Sequence, residues 1–398
     1  MNPLAIVIYC GVLISISSFA IDITLPAFPE MVRRLDSPYA TVQWTVTVYM
    51  FCAGIAQLVW GPASDRFGRR PTLAAGLSLF LVGSVLTALA PTIEWLLAGR
   101  AIQGFGAAAA IVLARAIMRD LYSGQELARN LALSMAVFAV GPILSPLIGA
   151  AVLVPFGWRG VFGALALLGV ALLLPLLFFR ETIAQTSRDA TRPAILRARL
   201  VRLFVHPQSR YFLLLSGLVM STMVFNLSAL PRIYDVSFGV TGVAFALLFA
   251  LHGTGIVVGQ LINRRLIPIL GTVHAMMVAN AVLILSSALM MMLTLAGVMG
   301  AYLMSALLVL FSTGYLVVFS NASALVLDPH GDIAGFAAAV LGVASQICAA
   351  IIVSILVVVA GGNALSYTIV LLSICLITFA LIFWWHVQPA SGSRTSRS

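Results

Sequence analysis

The sequence predicts an all-α polytopic membrane protein with twelve transmembrane helices in two six-helix bundles. Of its 398 residues, 62% are hydrophobic and 9% are charged, which is more apolar surface than a water-soluble fold can bury. The apolar runs have the length of about 20 residues that a helix needs to cross about 30 Å of lipid. Because backbone groups in lipid must be satisfied within the protein, runs of this length indicate helices rather than barrel strands.

The breaks between apolar runs predict where the membrane spans begin. Twelve starts are expected, near residues 4, 42, 72, 93, 128, 159, 211, 242, 272, 300, 334 and 365. The one long polar interruption divides six spans from six. We therefore predict an N-terminal bundle over 1–180, a central loop over 181–210, a C-terminal bundle over 211–388 and a tail over 389–398. Two bundles with a site between them are typical of transporters, because one can rock against the other.

Arginine supplies all 22 basic side chains, since the chain has no lysine. A phosphate-binding loop of the G-x-x-x-x-G-K-[ST] type needs lysine, so ATP hydrolysis through such a loop is excluded. Most arginines fall on the side that holds 61–71, 115–129, 180–210, 263–265 and the tail. Basic loops tend to stay inside, which predicts cytoplasmic termini and central loop in a cell inner membrane. The net charge of +10 would then lie beside anionic lipid headgroups, so it does not indicate nucleic-acid binding.

The loop after the second span has the densest charge pattern in the chain, G-x-x-x-D-R-x-G-R-R. Asp65 can lie at a helix N-terminus, where the helix dipole favours negative charge, and Arg69 can pair with an acid on the next hairpin. We interpret the pattern as a conformational latch. The alternative is that the arginines only keep the loop on the cytoplasmic side, but that role does not require the glycines and the acid of the pattern. The residues of the pattern are Gly61, Asp65, Arg66, Gly68, Arg69 and Arg70.

This loop resembles the signature of the major facilitator superfamily. Residues 21–29, Ile-Asp-Ile-Thr-Leu-Pro-Ala-Phe-Pro, resemble the first helix of the bicyclomycin and chloramphenicol resistance (Bcr/CflA) branch of drug:proton antiporters. Residues 100–106 resemble the R-x-x-Q-G-x-G motif of the fourth span. The resemblance covers most of the chain and implies a major facilitator fold, with Asp120 joining Asp65 and Arg69 in the latch.

A further stretch, residues 141–149, is similar to the antiporter motif of the fifth span in that family. Its small and helix-breaking residues predict kinking and close helix contact, which would seal the bundle against proton leakage. In the eighth span, Gly253, Gly255 and Gly259 provide a small-residue face that is expected to meet the fifth span. Packing alone also accounts for such residues. The antiporter motif residues are Gly141, Pro142, Pro146 and Gly149.

Asp22 is an acid well inside a span, where a charge costs about 2.5 to 3.5 kcal/mol by insertion scales. We interpret it as a carboxylate of the central cavity that exchanges a proton for substrate. The alternative is that it only caps backbone groups freed by Pro26 and Pro29. Arg100 is predicted at a similar depth in the fourth span and is the natural partner. The pair is interpreted either as a structural ion pair between the first and fourth spans or as part of proton coupling, and the sequence does not decide between these two interpretations.

Several polar residues inside spans are expected either to line a substrate pocket or to join helices, and the sequence does not separate these readings. His252 stands where the resembled family has asparagine nearby, so it is a candidate for tuning substrate choice; the alternative is a hydrogen bond to a neighbour. The possible pocket residues are Gln57, Gln103, Asn226, His252, Asn321 and Gln346.

The resemblance implies a secondary transporter that exports a small, largely apolar drug or metabolite in exchange for protons. It would act as a monomer driven by the proton gradient, without a cofactor, and cysteine and histidine spacing predicts no metal site. An enzyme is not expected. Two alternatives remain: a proton-coupled symporter that imports a small nutrient on the same fold, and a non-transporting membrane sensor.

Overall fold

The computed structural model describes residues 3–122, 124–183, 186, 193–360 and 362–387, and over these ranges its regular elements are helical. Three short 3-10 turns accompany the α-helices, at Leu25–Ala27, Leu174–Leu177 and Asp328–Ile333. The α-helices are α1 Pro3–Asp22, α2 Phe28–Arg34, α3 Tyr39–Phe67, α4 Arg69–Ala88, α5 Ile93–Leu121, α6 Gly124–Leu173, α7 Pro193–Val205, α8 Pro207–Phe238, α9 Gly242–Leu295, α10 Ala301–Leu327, α11 Ala334–Ala360 and α12 Ala364–Val387.

Ten helical stretches of the described residues are long and apolar enough to cross a membrane. Two of them, in α6 and α9, each form two spans, because helices of 50 and 54 residues are far longer than the bilayer is thick. Gly157 (φ 64°) and Gly271 (φ 77°) interrupt these helices in a conformation that glycine adopts without strain. The chain therefore has twelve spans, and the predicted starts are confirmed to within about four residues.

The first span is interrupted inside the membrane. The helix α1 ends at Asp22, and α2 begins at Phe28 after one 3-10 turn. Pro26 and Pro29 explain the interruption, because proline has no backbone N–H to donate to the preceding turn. Asp22 is thereby placed at the end of a helix, where the chain changes direction.

The interruption also leaves one carbonyl group of α1 without its helical partner. In a continuous helix the Thr24 N–H would donate to the Ala20 carbonyl, but here it donates to the Ile21 carbonyl at 3.1 Å. The Ala20 carbonyl must therefore accept a hydrogen bond from another helix, since water does not supply a donor in the hydrocarbon region.

Glycines bring the helices around this interruption into close contact. A Cβ at Gly104 of α5 would press on the Tyr49 carbonyl of α3, and a Cβ at Gly149 of α6 would press on the Ile23 carbonyl just after α1. Close approach of this kind is how transmembrane helices gain van der Waals contact without a hydrophobic driving force.

The glycines of the eighth span behave only partly as expected. A Cβ at Gly253 would meet Ile143 of the fifth span, but Gly255 and Gly259 lie against the backbone of α10. The expectation that all three face the fifth span is therefore wrong. The reason is helical geometry, since Gly255 and Gly259 are four residues apart and share a face, while Gly253 lies on the other side of the helix.

The two halves of the molecule meet through α3 with α11 and through α6 with α9. Neutral hydrogen bonds cross this boundary. The Gln57 side-chain amide donates to Gln346 Oε1 at 3.3 Å, and the Gln43 amide donates to the Ser228 carbonyl. The halves are thus joined by helix packing, by amide contacts from α3 to α11 and to α8, and by the Arg232 guanidinium of α8, which lies 5.4 Å from the Tyr39 ring of α3.

The segment predicted as a central loop over 181–210 contains the helix α7, and α8 already begins at Pro207. Residues 184, 185 and 187–192 of that segment, and the predicted tail over 389–398, lie outside the described residues. The other domain boundaries stay predictions. We call the side that carries residues 61–71, 115–122, 180–183, 193–210 and 263–265 the arginine-rich face.

Gly104→Ala tests the close contact between α5 and α3. Alanine normally favours a helix over glycine by about 1 kcal/mol, but here its Cβ meets the Tyr49 backbone, and overpacking costs about 1 to 3 kcal/mol. We expect a lower midpoint of thermal unfolding in detergent, followed by tryptophan fluorescence. Gly163→Ala is the matched control, because nothing lies within 4 Å of its added Cβ. Equal midpoints for both variants would contradict this packing.

Candidate functional site

Asp22 is buried at the end of α1, with 3% of its surface exposed. The Ser18 hydroxyl, one turn earlier, donates to Asp22 Oδ2 at 2.9 Å, and the Ser145 hydroxyl of α6 lies beside the same carboxyl group. No ion pair to Asp22 forms within the described residues. The carboxyl group therefore accepts from Ser18 and lies beside Ser145, and among the described residues no cation balances its charge.

Asp22 faces a cavity of about 50 Å³ between the two halves, which we call the central cavity. Side chains of α1, α6, α8, α9 and α10 line it, and most of them are apolar. This volume accommodates a few water molecules, far below the 300 Å³ or more of typical ligand sites. The structure is therefore closed around the site. The polar lining residues are Ser18, Asp22, Asn226, His252, Ser312 and Tyr315.

His252 of α9 enters the central cavity from the half opposite to Asp22. Its side chain is buried, and its ring stands edge-on to Phe249 at 5.1 Å between centroids. In the part of the chain that the structure describes, its Nε2 atom has no hydrogen-bond partner. Asn226, by contrast, donates to the Thr222 carbonyl at 3.0 Å and accepts from the Tyr367 hydroxyl. His252 thus keeps hydrogen-bonding capacity for a ligand at Nε2.

The expected pairing of Asp22 with Arg100 is not formed. Arg100 is fully buried, and its Nε donates to the Thr45 carbonyl at 3.1 Å and its Nη1 to the Ala20 carbonyl at 3.0 Å. The Ala20 carbonyl is the group that lost its helical donor when α1 ended, so backbone oxygens rather than Asp22 bind the guanidinium. The Tyr49 ring lies under the guanidinium at 4.5 Å, a cation–π contact.

Gln103 belongs to this buried cluster and not to the central cavity. Its Oε1 accepts from Arg100 Nη1 at 2.6 Å, and its amide donates to the Ser84 hydroxyl at 2.7 Å. Arg100 and Gln103 together tie α5 to α1, α3 and α4. Their contacts are those of a structural joint beside the site.

The structure brings the predicted latch residues together on the arginine-rich face. Arg69 Nε donates to Asp120 Oδ2 at 2.9 Å, and its Nη1 donates to Asp65 Oδ1 at 2.5 Å and to the Ser64 hydroxyl at 2.6 Å. Arg69 is buried, so these charge-assisted bonds are screened less than surface pairs. The latch, Asp65 with Arg69 and Asp120, fastens the ends of α3, α4 and α5 to one another.

Sequence reasoning gave no role to Glu181, which completes the latch. Its carboxylate accepts from the backbone N–H groups of Arg69 at 2.9 Å and Arg70 at 3.0 Å, at the start of α4. Burial by itself would raise the pKa of Glu181, but four backbone N–H groups outweigh it and hold the pKa below its ordinary value. The sequence feature that indicates this role is an acidic residue just after the sixth span, because a carboxylate can accept hydrogen bonds from the N–H groups at a helix N-terminus.

Gly68 allows this approach of Glu181 to α4. Its φ of 99° is in the left-handed region, and a Cβ there would come within 2.7 Å of Glu181 Oε2. The other residues of the loop pattern contribute less. A Cβ at Gly61 would make only an ordinary contact with Val112 at 3.8 Å, Arg66 stacks on Phe67 at 5.2 Å, and the Arg70 side chain is exposed.

The antiporter-like residues surround the end of α1. Gly149 lies against the Ile23 carbonyl, Gly141 lies near Phe19, and Pro142 lines the central cavity. Pro146 lies inside α6 between them. This stretch therefore fits α6 closely to the helix end that carries Asp22.

The remaining predicted pocket residues lie away from the central cavity. Gln57 and Gln346 bond to each other between α3 and α11, and Asn321 exchanges two side-chain hydrogen bonds with Asn263, at 3.0 and 3.2 Å. Of the six, only Asn226 and His252 line the cavity in this closed arrangement. The others join helices.

Comparison with known proteins places this architecture in a family. A family model described as Major Facilitator Superfamily matches residues 10–353. The chain is 30% identical over 343 residues to the uncharacterized MFS-type transporter YdgK of Bacillus subtilis, with 85% of each chain covered. It is 28% identical over 338 residues to the bicyclomycin resistance protein homolog of Haemophilus influenzae, with 83% of each covered.

Among solved structures, the crystal structure of a D-xylose-proton symporter superposes with a TM-score of 0.74 over 95% of this chain and 97% of that one. At 14% identity this likeness supports the fold alone. The family model spans most of the chain, and the all-helical fold with twelve spans agrees with it. The chain therefore belongs to the Major Facilitator Superfamily and is a membrane transporter rather than an enzyme.

Proposed function

We propose that this transporter exports a small, largely apolar drug or metabolite in exchange for protons. The observation that carries the proposal is the buried carboxylate of Asp22, which faces the central cavity without a cationic partner among the described residues. A charge at this depth costs about 2.5 to 3.5 kcal/mol or more. Binding a proton removes that cost, and so does binding a ligand that offers donors or positive charge. Proton and ligand therefore compete for one group.

His252 supplies the second contact of the proposed cycle. It faces the central cavity from α9, while Asp22 faces it from α1, so a ligand bound to both would hold the two halves together. When a proton replaces the ligand at Asp22, that link between the halves is lost. The apolar remainder of the lining suits a ligand with few polar groups.

Substrate entry requires the halves to part, because the central cavity is too small for a drug-sized molecule in this arrangement. Rocking of one bundle against the other around a site between them is the motion that such two-bundle folds support. In the proposed cycle, substrate binds from the cytoplasm to charged Asp22 and is displaced outside by a proton. Release of that proton to the cytoplasm resets the site.

Export is favoured over import by two observations. One relative carries the name bicyclomycin resistance protein homolog, and the antiporter-like residues 141–149 pack around the end of α1. The alternative is a proton-coupled symporter for a small nutrient, since a D-xylose-proton symporter has the same fold. Membership of a transporter family leaves no support for the sensor alternative.

We further infer that the arginine-rich face is cytoplasmic in the cell inner membrane, because basic loops are retained inside. Both ends of the described chain lie at this face. The Tyr122 hydroxyl bonds to the Pro3 carbonyl at 3.3 Å, and the His386 ring lies 4.6 Å from His274, soon after Gly271. The transporter would work as a monomer driven by the proton gradient, without a cofactor.

Asp22→Asn removes the group for which proton and substrate compete. The assay uses everted vesicles with an acidified lumen and a drug chosen from a growth-inhibition panel. We expect the drug to alkalinise the lumen with the wild type, and the variant to behave like vesicles without the protein. Acidification by the wild type would instead support the symporter. Full proton-coupled export by Asp22→Asn would exclude the role given to Asp22.

The pH dependence of drug affinity, measured with the purified proteins, is the control for the Asp22→Asn transport assay. Drug affinity of the wild type is expected to fall as the pH falls, because protons compete, whereas affinity of Asp22→Asn should not depend on pH. Asp36→Asn is the matched variant, since Asp36 is an exposed acid with a φ of 47°, a conformation that asparagine also tolerates. It should keep the wild-type behaviour in both assays.

Arg69→Ala opens the latch without touching the central cavity. We expect transport to slow by about tenfold, the equivalent of one lost hydrogen bond between charged groups, while equilibrium drug affinity stays unchanged. Arg119→Ala is the control, because Arg119 is an exposed neighbour of Asp120 and its loss changes the charge equally. Loss of affinity with an unchanged transport rate would contradict the latch.

Glu181→Gln tests the carboxylate at the start of α4 through its pH dependence. Because the pKa of folded Glu181 is below its ordinary value of 4.5, its stabilisation is complete above that value and is lost as the pH falls through the lowered pKa. Thermal unfolding in detergent should therefore show a higher midpoint for the wild type than for the variant at pH 7. The difference should vanish in strong acid, and a constant difference would contradict the assignment.

A further inference from the structure

The helix α7 of the central segment has two opposite apolar faces. Leu196, Leu200 and Leu203 follow a helical spacing of four and three residues, and Leu203 is fully buried where α7 packs on α8 and α11. On the other side, Ala194, Ala198, Val201 and Val205 also follow that spacing and are exposed, with Val201 at 53% and Val205 at 68%. One face anchors the helix, and the other is presented outward.

The outward face forms the floor of an open groove of about 800 Å³. Arg197 and Arg202 line the same groove, as does His206 at the junction with α8. Arg199 points elsewhere, with its guanidinium 5.9 Å from the Phe336 ring of α11. The groove thus combines an apolar floor with two guanidinium groups.

The groove lies where the membrane surface is expected. The helix α7 ends at Val205, and the span formed by α8 begins two residues later at Pro207. Further along α8, Leu214 is 65% exposed, as a lipid-facing side chain is. The apolar floor is therefore at the level where acyl chains meet headgroups.

The sequence segments 184–192 and 388–398 do not complement the groove in composition. The C-terminal residues 388–398 carry Arg394 and Arg397 and no acid, so their charge has the same sign as the groove. Residues 184–192 contain no large apolar side chain. An occupant with negative charge and a long apolar portion fits both features.

We propose that this groove binds an anionic phospholipid of the adjoining leaflet. Its acyl chain lies along Ala198, Val201 and Val205, and its phosphate pairs with Arg197 and Arg202. Juxtamembrane basic residues are attracted to anionic lipid, and burial of the apolar face against an acyl chain adds to this attraction. The bound lipid would stabilise α7 against the C-terminal half, whatever the protein transports.

The test measures the midpoint of thermal unfolding of the full chain in detergent with added dioleoyl phosphatidylglycerol or dioleoyl phosphatidylcholine. We expect phosphatidylglycerol to raise the midpoint by about 3 °C more than phosphatidylcholine. Arg197→Gln with Arg202→Gln should abolish this difference. Arg264→Gln with Arg265→Gln removes equal charge from the same face and should retain it. Equal behaviour of the two double variants would overturn the proposal.

Two further arms identify the occupant. Val201→Asp should abolish the phosphatidylglycerol effect, and glycerol 3-phosphate without acyl chains should not produce it; either opposite result overturns the lipid site. In vesicles of phosphatidylethanolamine and phosphatidylglycerol, benzoylphenylalanine placed at position 201 should crosslink to lipid. Crosslinking to residues 388–398 or to a second copy of the chain would overturn the proposal in favour of that occupant.

Discussion

A helix that ends inside lipid leaves its last carbonyl groups without donors, and each such group costs several kcal/mol unless a neighbour supplies one. Here Pro26 and Pro29 end α1 at Asp22, and Arg100 donates to the Ala20 carbonyl in place of the lost helical bond. As a cation at the C-terminal end of a helix, Arg100 also complements the helix dipole. Arg100 bonds to backbone oxygens and to Gln103 rather than to Asp22, and within the described residues no ion pair forms with Asp22. The end of α1 thus both positions the buried Asp22 carboxyl group and provides a carbonyl group that the buried Arg100 guanidinium binds.

The contacts around that helix end also explain how the molecule can move as two bodies. The charged contacts of the latch join α3, α4 and α5 within the N-terminal half, whereas the hydrogen bonds found between the halves are neutral, such as Gln57 with Gln346. A neutral hydrogen bond contributes about 0.5 to 1.5 kcal/mol net, so a few of them can be exchanged during rocking. Ion pairs within a half, with neutral hydrogen bonds and the cation–π contact of Arg232 over Tyr39 between the halves, suit alternating access.

The spans were predictable because lipid thickness fixes helix length. Asp65 and Arg69 were predictable because a specific spacing carries them, whereas the place of Asp120 followed from the family resemblance. The partner of Arg100 was not, because depth along a helix does not determine the direction in which a side chain points. The role of Glu181 was not predicted, because its partners are backbone N–H groups of a helix that is distant in the sequence. The helix α7 was predicted as part of a loop, because the arginines between its two apolar faces obscure the helical periodicity of its apolar residues.

The central segment is attached at both ends, but to different halves. Glu181 binds the start of α4 in the N-terminal half, while α7 packs on the C-terminal half through Leu203 and through Arg199 over Phe336. Neither attachment by itself bridges the two halves, because Glu181 contacts the N-terminal half and α7 contacts the C-terminal half. Each anchor can therefore stabilise its own half, one through the latch and the other through lipid, without locking the halves together.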